Sequence, residues 1–229
     1  MSVGVYMLTR DRLEYTKRAI TSFRKYNGSE VFLVVIDNGS KDGTTEWLKE
    51  QLSSGVINHL HLEPENVGIH KAFFIAKGIF KNKYSLIVKV DNDCEFIEPV
   101  IAHIFSNYST AINYKMVLSP HVNGIMNQPK RSYFVKTSLG DTFGNTGHVG
   151  GLCMAIPFQL WRKLEIDGTK PKARGFDSSV CEQAKMYGYV VGYIENIFVE
   201  HMDGTNKQAE KYPEYFKRKK IEEVESCQE

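Results

Sequence analysis

The sequence lacks the paired cysteines that would announce a zinc site or a redox centre. Cys94, Cys153, Cys181 and Cys227 are scattered, with no CxxC unit among them. Reduced thiols in a cytosolic protein are therefore expected rather than a disulfide framework. Long hydrophobic runs are also missing: nothing approaches the roughly 18 apolar residues of a membrane span. Charge of one sign is nearly absent in net terms, since 29 basic residues offset 27 acidic ones to give +2. No global field thus selects nucleic acid as a partner, and the basic concentration from Lys211 to Lys220 reads as a solvated helix face. Met1-Ser2-Val3-Gly4-Val5 enters a strand pattern directly, without the basic and apolar blocks of a secretory signal. Neither an internal repeat nor a linker interrupts the chain. What is present, 229 residues of which 42% are apolar, suffices for one substantial core.

The first hundred residues alternate short apolar runs with helical patterns. Val3 to Leu8 reads as a buried strand. Asp11 with Glu14 then supplies a capping signature for a helix to about Tyr26. Val31 to Ile36 is a second apolar run, and the turn-rich Asp37-Asn38-Gly39-Ser40-Lys41-Asp42-Gly43 follows it. A helix containing Trp47, Leu48 and Leu52, a strand over Ile57 to Leu62, a helix over Gly68 to Phe80 and a strand over Tyr84 to Val90 complete the pattern. Strands buried on both faces and joined by helices predict a doubly wound, mainly parallel α/β sheet with helices on both faces.

The second half is less regular. Short strands are expected at Met116 to Ser119 and Tyr133 to Val135, and Gly147 to Gly151 leads into the apolar Leu152 to Ile156. A helix begins near Pro157, another covers Ser179 to Tyr187 with Ser179 and Glu182 as a capping box, and strands follow at Tyr189 to Ile194 and Ile197 to Val199. Residues 1–204 form the expected folded domain, and 205–229 a charged tail that is helical or disordered.

In open parallel sheets, ligands bind beyond the carboxyl ends of the strands. Three polar clusters fall there: Thr9-Arg10, Asp37-Asn38-Gly39-Ser40 and Asp91-Asn92-Asp93. The last is the sharpest. Two carboxylates, two residues apart, emerge where a buried strand meets the crevice, and hard cations such as magnesium or manganese favour such oxygens together with substrate phosphates.

Taken in order, these segments resemble glycosyltransferase family 2, whose members have the GT-A fold. The pattern from Val5 to Arg10, then Val35 to Thr44, then Glu65-Asn66-Val67-Gly68 as an Asn-x-Gly segment, and Asp91-Asn92-Asp93 as a DXD motif, carries the resemblance up to about Gly204. The resemblance implies a nucleotide-sugar donor, a divalent metal and a role for each matching residue. Thr9 and Asp37 match positions that hold the base, Asp91 falls near the ribose, Asp93 matches the metal ligand to the diphosphate, and Lys71 lies where a basic residue often faces the nucleotide. His201 matches a histidine that completes the metal site, and Gly150 and Gly151 match a segment lining donor sugar and acceptor. Asn92 stands where many relatives have an acid. Asp177, eleven residues before Gly188-Tyr189, matches the general base, although the usual Glu-Asp pair is here Phe176-Asp177.

A divalent ion at Asp93 would stabilise the departing nucleoside diphosphate. Asp177 would take the proton of the acceptor hydroxyl, and a single base with in-line attack implies inversion. UDP-sugar is the default donor. The acceptor (saccharide, lipid-linked glycan, protein or modified nucleic acid) is not legible. Asp141 and Glu182 are the next acids to consider as base. Asn38-Gly39-Ser40 is a glycosylation sequon inside the expected donor site, a further argument for a cytoplasmic protein. A sugar-nucleotide pyrophosphorylase would need a Gly-rich loop where Leu8-Thr9-Arg10-Asp11-Arg12 stands, whereas a noncatalytic nucleotide-sugar-binding module on the same scaffold is the alternative that the altered surroundings of Asp177 leave open.

Overall fold

The computed structural model describes residues 2–81, 84–110, 115–124, 133–136, 141–144, 148–166, 175–202 and 208–225. In chain order the elements are β1 (Val3–Thr9), α1 (Leu13–Asn27), β2 (Phe32–Asn38), α2 (Thr44–Ser53), β3 (His59–Glu63), α3 (Gly68–Ile79), β4 (Leu86–Asp91) and β5 (Cys94–Phe96). There follow α4 (Val100–Thr110), β6 (Met116–Asn123), β7 (Tyr133–Lys136), β8 (Asp141–Gly144), β9 (Cys153–Pro157), α5 (Phe158–Trp161), α6 (Phe176–Met186), β10 (Val190–His201), α7 (Gln208–Lys211) and α8 (Pro213–Glu225).

One mixed sheet runs in the order β3-β2-β1-β4-β9-β6-β10-β8-β7, with β5 paired to β10 off this path. The first four strands are parallel, joined by α1, α2 and α3, as the alternation of apolar runs and helical patterns predicts. β9 is antiparallel to both β4 and β6, so the sheet is mixed beyond its first half. The apolar runs are continuous because each strand is covered on both sides. Val5, Met7, Val35, Val88 and Val90 enter the core layer that contains Ala19, Ile20 and Phe23 of α1. Tyr6, Val34, Ile36 and Ile87 enter the opposite layer with Ala72, Phe73 and Trp161.

Register decides what stands at the carboxyl edge. Thr9 lies beside Asp37 and Leu8 beside Asp91. Because β9 runs against β4 with Cys153 beside Val90, the Gly150-Gly151-Leu152 segment arrives at that same edge. The end of β10 pairs with β5, His201 beside Cys94, which brings the histidine next to the DXD turn.

Several local expectations are corrected. Helix α1 begins at Leu13, and Asp11 does not cap it: Asp11 and Arg12 both adopt left-handed backbone (φ 51° and 58°), and the carboxylate turns to other partners. Ser179 and Glu182 form no capping box, because α6 starts three residues earlier, with Gly175 (φ 95°) preceding it and Ser179 already donating its N–H to the Gly175 carbonyl. The two strands expected after Tyr189 are one, β10, with an irregularity between Ile194 and Phe198 where Asn196 is left-handed. Cys94, Cys153 and Cys181 are free and buried; Cys227 lies outside the described residues. Among the described residues no helix is long and apolar enough to cross a membrane.

Candidate functional site

The loop after β1 is strained and tied down at every residue. Two successive non-glycine residues in left-handed backbone cost on the order of 1–2 kcal/mol each, and contacts from three directions offset that cost. Asp11 donates its backbone N–H to Ser40 Oγ (2.7 Å), accepts the Lys41 N–H on Oδ1 (2.7 Å) and accepts Arg218 Nη2 of α8 on Oδ2 (2.5 Å). Arg12 is buried, donating from Nη1 to Asp93 Oδ2 (2.9 Å) and from Nη2 to Asn92 Oδ1 (2.5 Å). Its guanidinium lies 5.8 Å from the Tyr15 ring and 5.0 Å from that of Tyr215, and Arg10 also faces Tyr215 at 5.9 Å. Burial opposes the charge of Arg12, yet the Asp93 carboxylate raises its pKa above the ordinary value.

The second loop is shaped from within by Asp37. Only 1% exposed, it accepts the Ser40 N–H (3.2 Å) and hydroxyl (2.5 Å) on Oδ1, while Thr45 donates its hydroxyl to Oδ2. Asn38 clasps the third segment: its amide donates to Asn66 Oδ1 (2.8 Å) and its carbonyl oxygen accepts the Val67 N–H (2.8 Å). Asn66 Oδ1 also accepts the Gly68 N–H at the start of α3 (3.0 Å). Gly39 (φ 77°) must be glycine here, since a Cβ would stand 2.5 Å from the Glu65 carbonyl carbon. A cleft of about 520 Å³ opens beside this loop, lined by Ser40, Lys41, Thr45, Glu46, Leu62 and Glu63 among others. Lys71 is exposed at its margin, 3.8 Å from Glu63 Oε2.

In the DXD turn the three residues have three different situations. Asn92 is interior, its amide directed to Thr9 Oγ1 (3.1 Å), Thr16 Oγ1 (3.0 Å) and the Asp11 carbonyl (3.3 Å). An ionised acid in that place has no proton to give these acceptors, which accounts for an amide at the centre of the motif. Asp91 receives Lys89 Nζ at 2.6 Å. Burial pushes its pKa up to about 6, with Asp93 and Asp177 adding and Lys89 opposing. Asp93 presents Oδ2 to Arg12 and, at 3.9 Å, to His201 Nε2. A carboxylate and an imidazole form a donor set suited to manganese, and His201 Nδ1 is buried without a hydrogen-bond partner. Among the described residues no three His, Cys, Asp or Glu side chains are grouped to hold a metal on their own, so a cation placed here would need further ligands such as phosphate oxygens, and Arg12 would compete with it for one oxygen.

Across the edge stands Asp177, in the first turn of α6, where a carboxylate is favoured by the helix dipole. Its Oδ2 accepts the Gly151 N–H at 2.9 Å. A Cβ on Gly151 would lie 2.2 Å from Asp177 Oδ1, whereas one on Gly150 would meet nothing within 4 Å, leaving room for a ligand above that residue. Glu182 points outward on α6, and the side chain of Asp141 lies outside the described residues.

The structure therefore brings Thr9, Asn92, Asp93 and His201 into one cluster, and joins Asp91 to Gly151 and Asp177. Arg10 faces α8, Asp37 and Asn66 brace loops, and Lys71 is peripheral. Arg12, Lys89, Tyr215 and Arg218 were not singled out by the sequence reading. For Lys89 a signal existed, an ionisable residue amid Leu86-Ile87-Val88 and Val90 in a strand read as buried. For the two α8 residues there was none.

A mixed sheet of this order, with ligand loops at the ends of its parallel half, is the GT-A architecture of glycosyltransferases. Among solved structures, GalNAc-T7 with UDP, GalNAc and Mn2+ superposes with a TM-score of 0.71 at 14% identity, over 88% of this chain and 44% of the other. The mannosyltransferase PcManGT from Pyrobaculum calidifontis, in complex with GDP-Man and Mn2+, gives 0.63 at 14% over 86% and 56%. S. aureus TarS gives 0.68 at 14% over 93% and 38%. The chain thus spans about half or less of these longer proteins. Residues 4–156 match the family described as glycosyl transferase family 2, and the chain belongs to that family. No curated protein matches it in sequence.

Proposed function

We propose that this chain transfers a sugar from a nucleotide-sugar donor, by default a UDP-sugar, to an acceptor hydroxyl with inversion, using a divalent cation at Asp93. The observation that carries this reading is the pairing of two carboxylate positions at one sheet edge: Asp93 beside His201 at the end of β4, and Asp177 held by the Gly151 N–H across from it. Complexes containing a nucleotide or nucleotide-sugar and Mn2+ among proteins of the same fold support the donor class and the metal.

The nucleotide would lie along the ends of β1, β2 and β4. The loop that Asp37 and Asn38 shape provides one wall of its site, and Asp91 faces the ribose. When bound, the cation supplies Lewis-acid stabilisation of the leaving diphosphate. Arg12, which holds Asp93 in this structure, would yield that oxygen to a cation and could offer its own positive charge to the diphosphate. Asp177 is partly exposed beside Gly151; it accepts the proton of the acceptor hydroxyl as the oxygen attacks the anomeric carbon from the face opposite the diphosphate. One base and one displacement give one inversion.

Asp177→Asn preserves an acceptor for the Gly151 N–H and removes the base. UDP and Mn2+ binding measured by calorimetry should be nearly unchanged, while donor turnover falls by about a hundredfold or more. Turnover at the parental rate would move the base elsewhere. A parent that neither hydrolyses nor transfers from any of a broad panel of donors would favour a binding module on this scaffold.

A further inference from the structure

Lys89 is 1% exposed in the middle of β4, flanked across the sheet by Tyr6 and Met154. An ammonium group is retained in such a place only when compensated, and replacing a whole buried ion pair by apolar side chains of similar volume is often neutral or stabilising for folding. Packing therefore gives no reason for a lysine. Its two contacts give one. Nζ lies 2.6 Å from Asp91 Oδ1 and 2.6 Å from the Gly151 carbonyl oxygen. Gly151 then uses its own N–H to hold Asp177 Oδ2, and the absence of a Cβ lets it sit directly against that carboxylate. The ammonium thus joins the acid at the end of the DXD strand to the backbone residue that orients the acid on α6. Burial works against the charge of Lys89, but Asp91 and Asp177 outweigh it and hold the amine protonated.

We propose that Lys89 is a positioning residue for sugar transfer, gripping Asp91 and Gly151 together so that the Asp177 carboxylate is fixed relative to the donor. The proposal rests on Asp177 being the base. A displacement of about 1 Å at a reacting group can cost on the order of a hundredfold in rate, so a single bridging cation suffices to matter.

The test is a double-mutant cycle of Lys89→Met and Asp177→Asn on the full chain. It is read as nucleoside diphosphate release from the UDP-sugar, with calorimetric UDP–Mn2+ affinity and melting temperature measured alongside. Lys89→Met should lower turnover roughly tenfold to a hundredfold with nucleotide affinity kept within about threefold, and should add nothing to the defect of Asp177→Asn. If Lys89→Met does not fold, Lys89→Gln, too short to span both partners, takes its place with the same expectations. Parental turnover in the Lys89 variant beside an impaired Asp177→Asn overturns this proposal alone. Equal fractional losses in the parental and Asp177→Asn backgrounds also overturn it, because the lysine would then act through general structure. Parental turnover in Asp177→Asn by itself instead overturns the base assignment.

Discussion

Arg12→Met probes the centre of the site. The guanidinium neutralises Asp93, with both side chains about nine-tenths buried, and bridges it to Asn92. Methionine keeps most of the aliphatic stem between Tyr15 and Tyr215 but leaves Asp93 without its cation. Removing one partner of a buried ion pair costs about 3–5 kcal/mol. At roughly 2–4 °C per kcal/mol for a chain of this size, the variant should melt on the order of 10 °C below the parent in EDTA. Manganese reverses the comparison. A cation at Asp93 would have to displace Arg12 from Oδ2 in the parent, whereas in the variant the arginine would no longer compete for that oxygen. With UDP present and Mn2+ at about a hundred times its dissociation constant, binding returns about 2.7 kcal/mol to the variant and a smaller amount to the parent. The assay is a thermal melt of both proteins, with EDTA and with UDP plus Mn2+. Identical melting temperatures in EDTA, or identical manganese shifts in the two proteins, would refute the reasoning that Arg12 and the cation share one carboxylate.

Further outcomes follow from neighbouring contacts. His201→Ala should raise the manganese concentration required for half-maximal turnover while moving the melting temperature little, since His201 Nδ1 has no partner to lose; superimposable metal titrations would make the histidine a packing residue. Gly39→Ala forces a Cβ to within 2.5 Å of the Glu65 backbone at a φ of 77°, and urea denaturation should show a loss of about 2 kcal/mol or more. Arg218→Ala leaves the buried Asp11 Oδ2 without its α8 partner. About 1 kcal/mol of stability should be lost, and limited proteolysis should cut α8 faster than in the parent; unchanged cleavage would mean the Arg218 contact does not hold the helix.

The apolar runs from Val3 to Leu8, Val31 to Ile36 and Leu86 to Val90 were sufficient to place the parallel half of the sheet, because a strand covered on both faces must be apolar at every position. The same rule put Thr9, Asp37 and Asp91 at one edge: parallel strands end on the same side, so whatever follows each run is gathered there. Local chemistry also announced the Gly39 turn. Chain order, however, says nothing about how far a carboxylate is already committed. Asp37 has both oxygens satisfied by Ser40 and Thr45, and Asp93 is occupied by an arginine 81 residues away, one the sequence reading had placed at a helix start. Asp11 looked like a cap because Glu14 stands three residues on, but long-range bonds to Lys41 and Arg218 won over the local motif. Residues 205–229 carried no periodic or motif signal tying them to the site, yet α8 rests on Arg10, Asp11 and Arg12 through Tyr215 and Arg218. Sequence pattern by itself determined the parallel half of the sheet and the edge where the chemistry stands, since both depend on the apolar runs of single segments. Which acids are free, which are paired, and what the tail touches were decided only in three dimensions, where partners distant in the chain compete for the same oxygens.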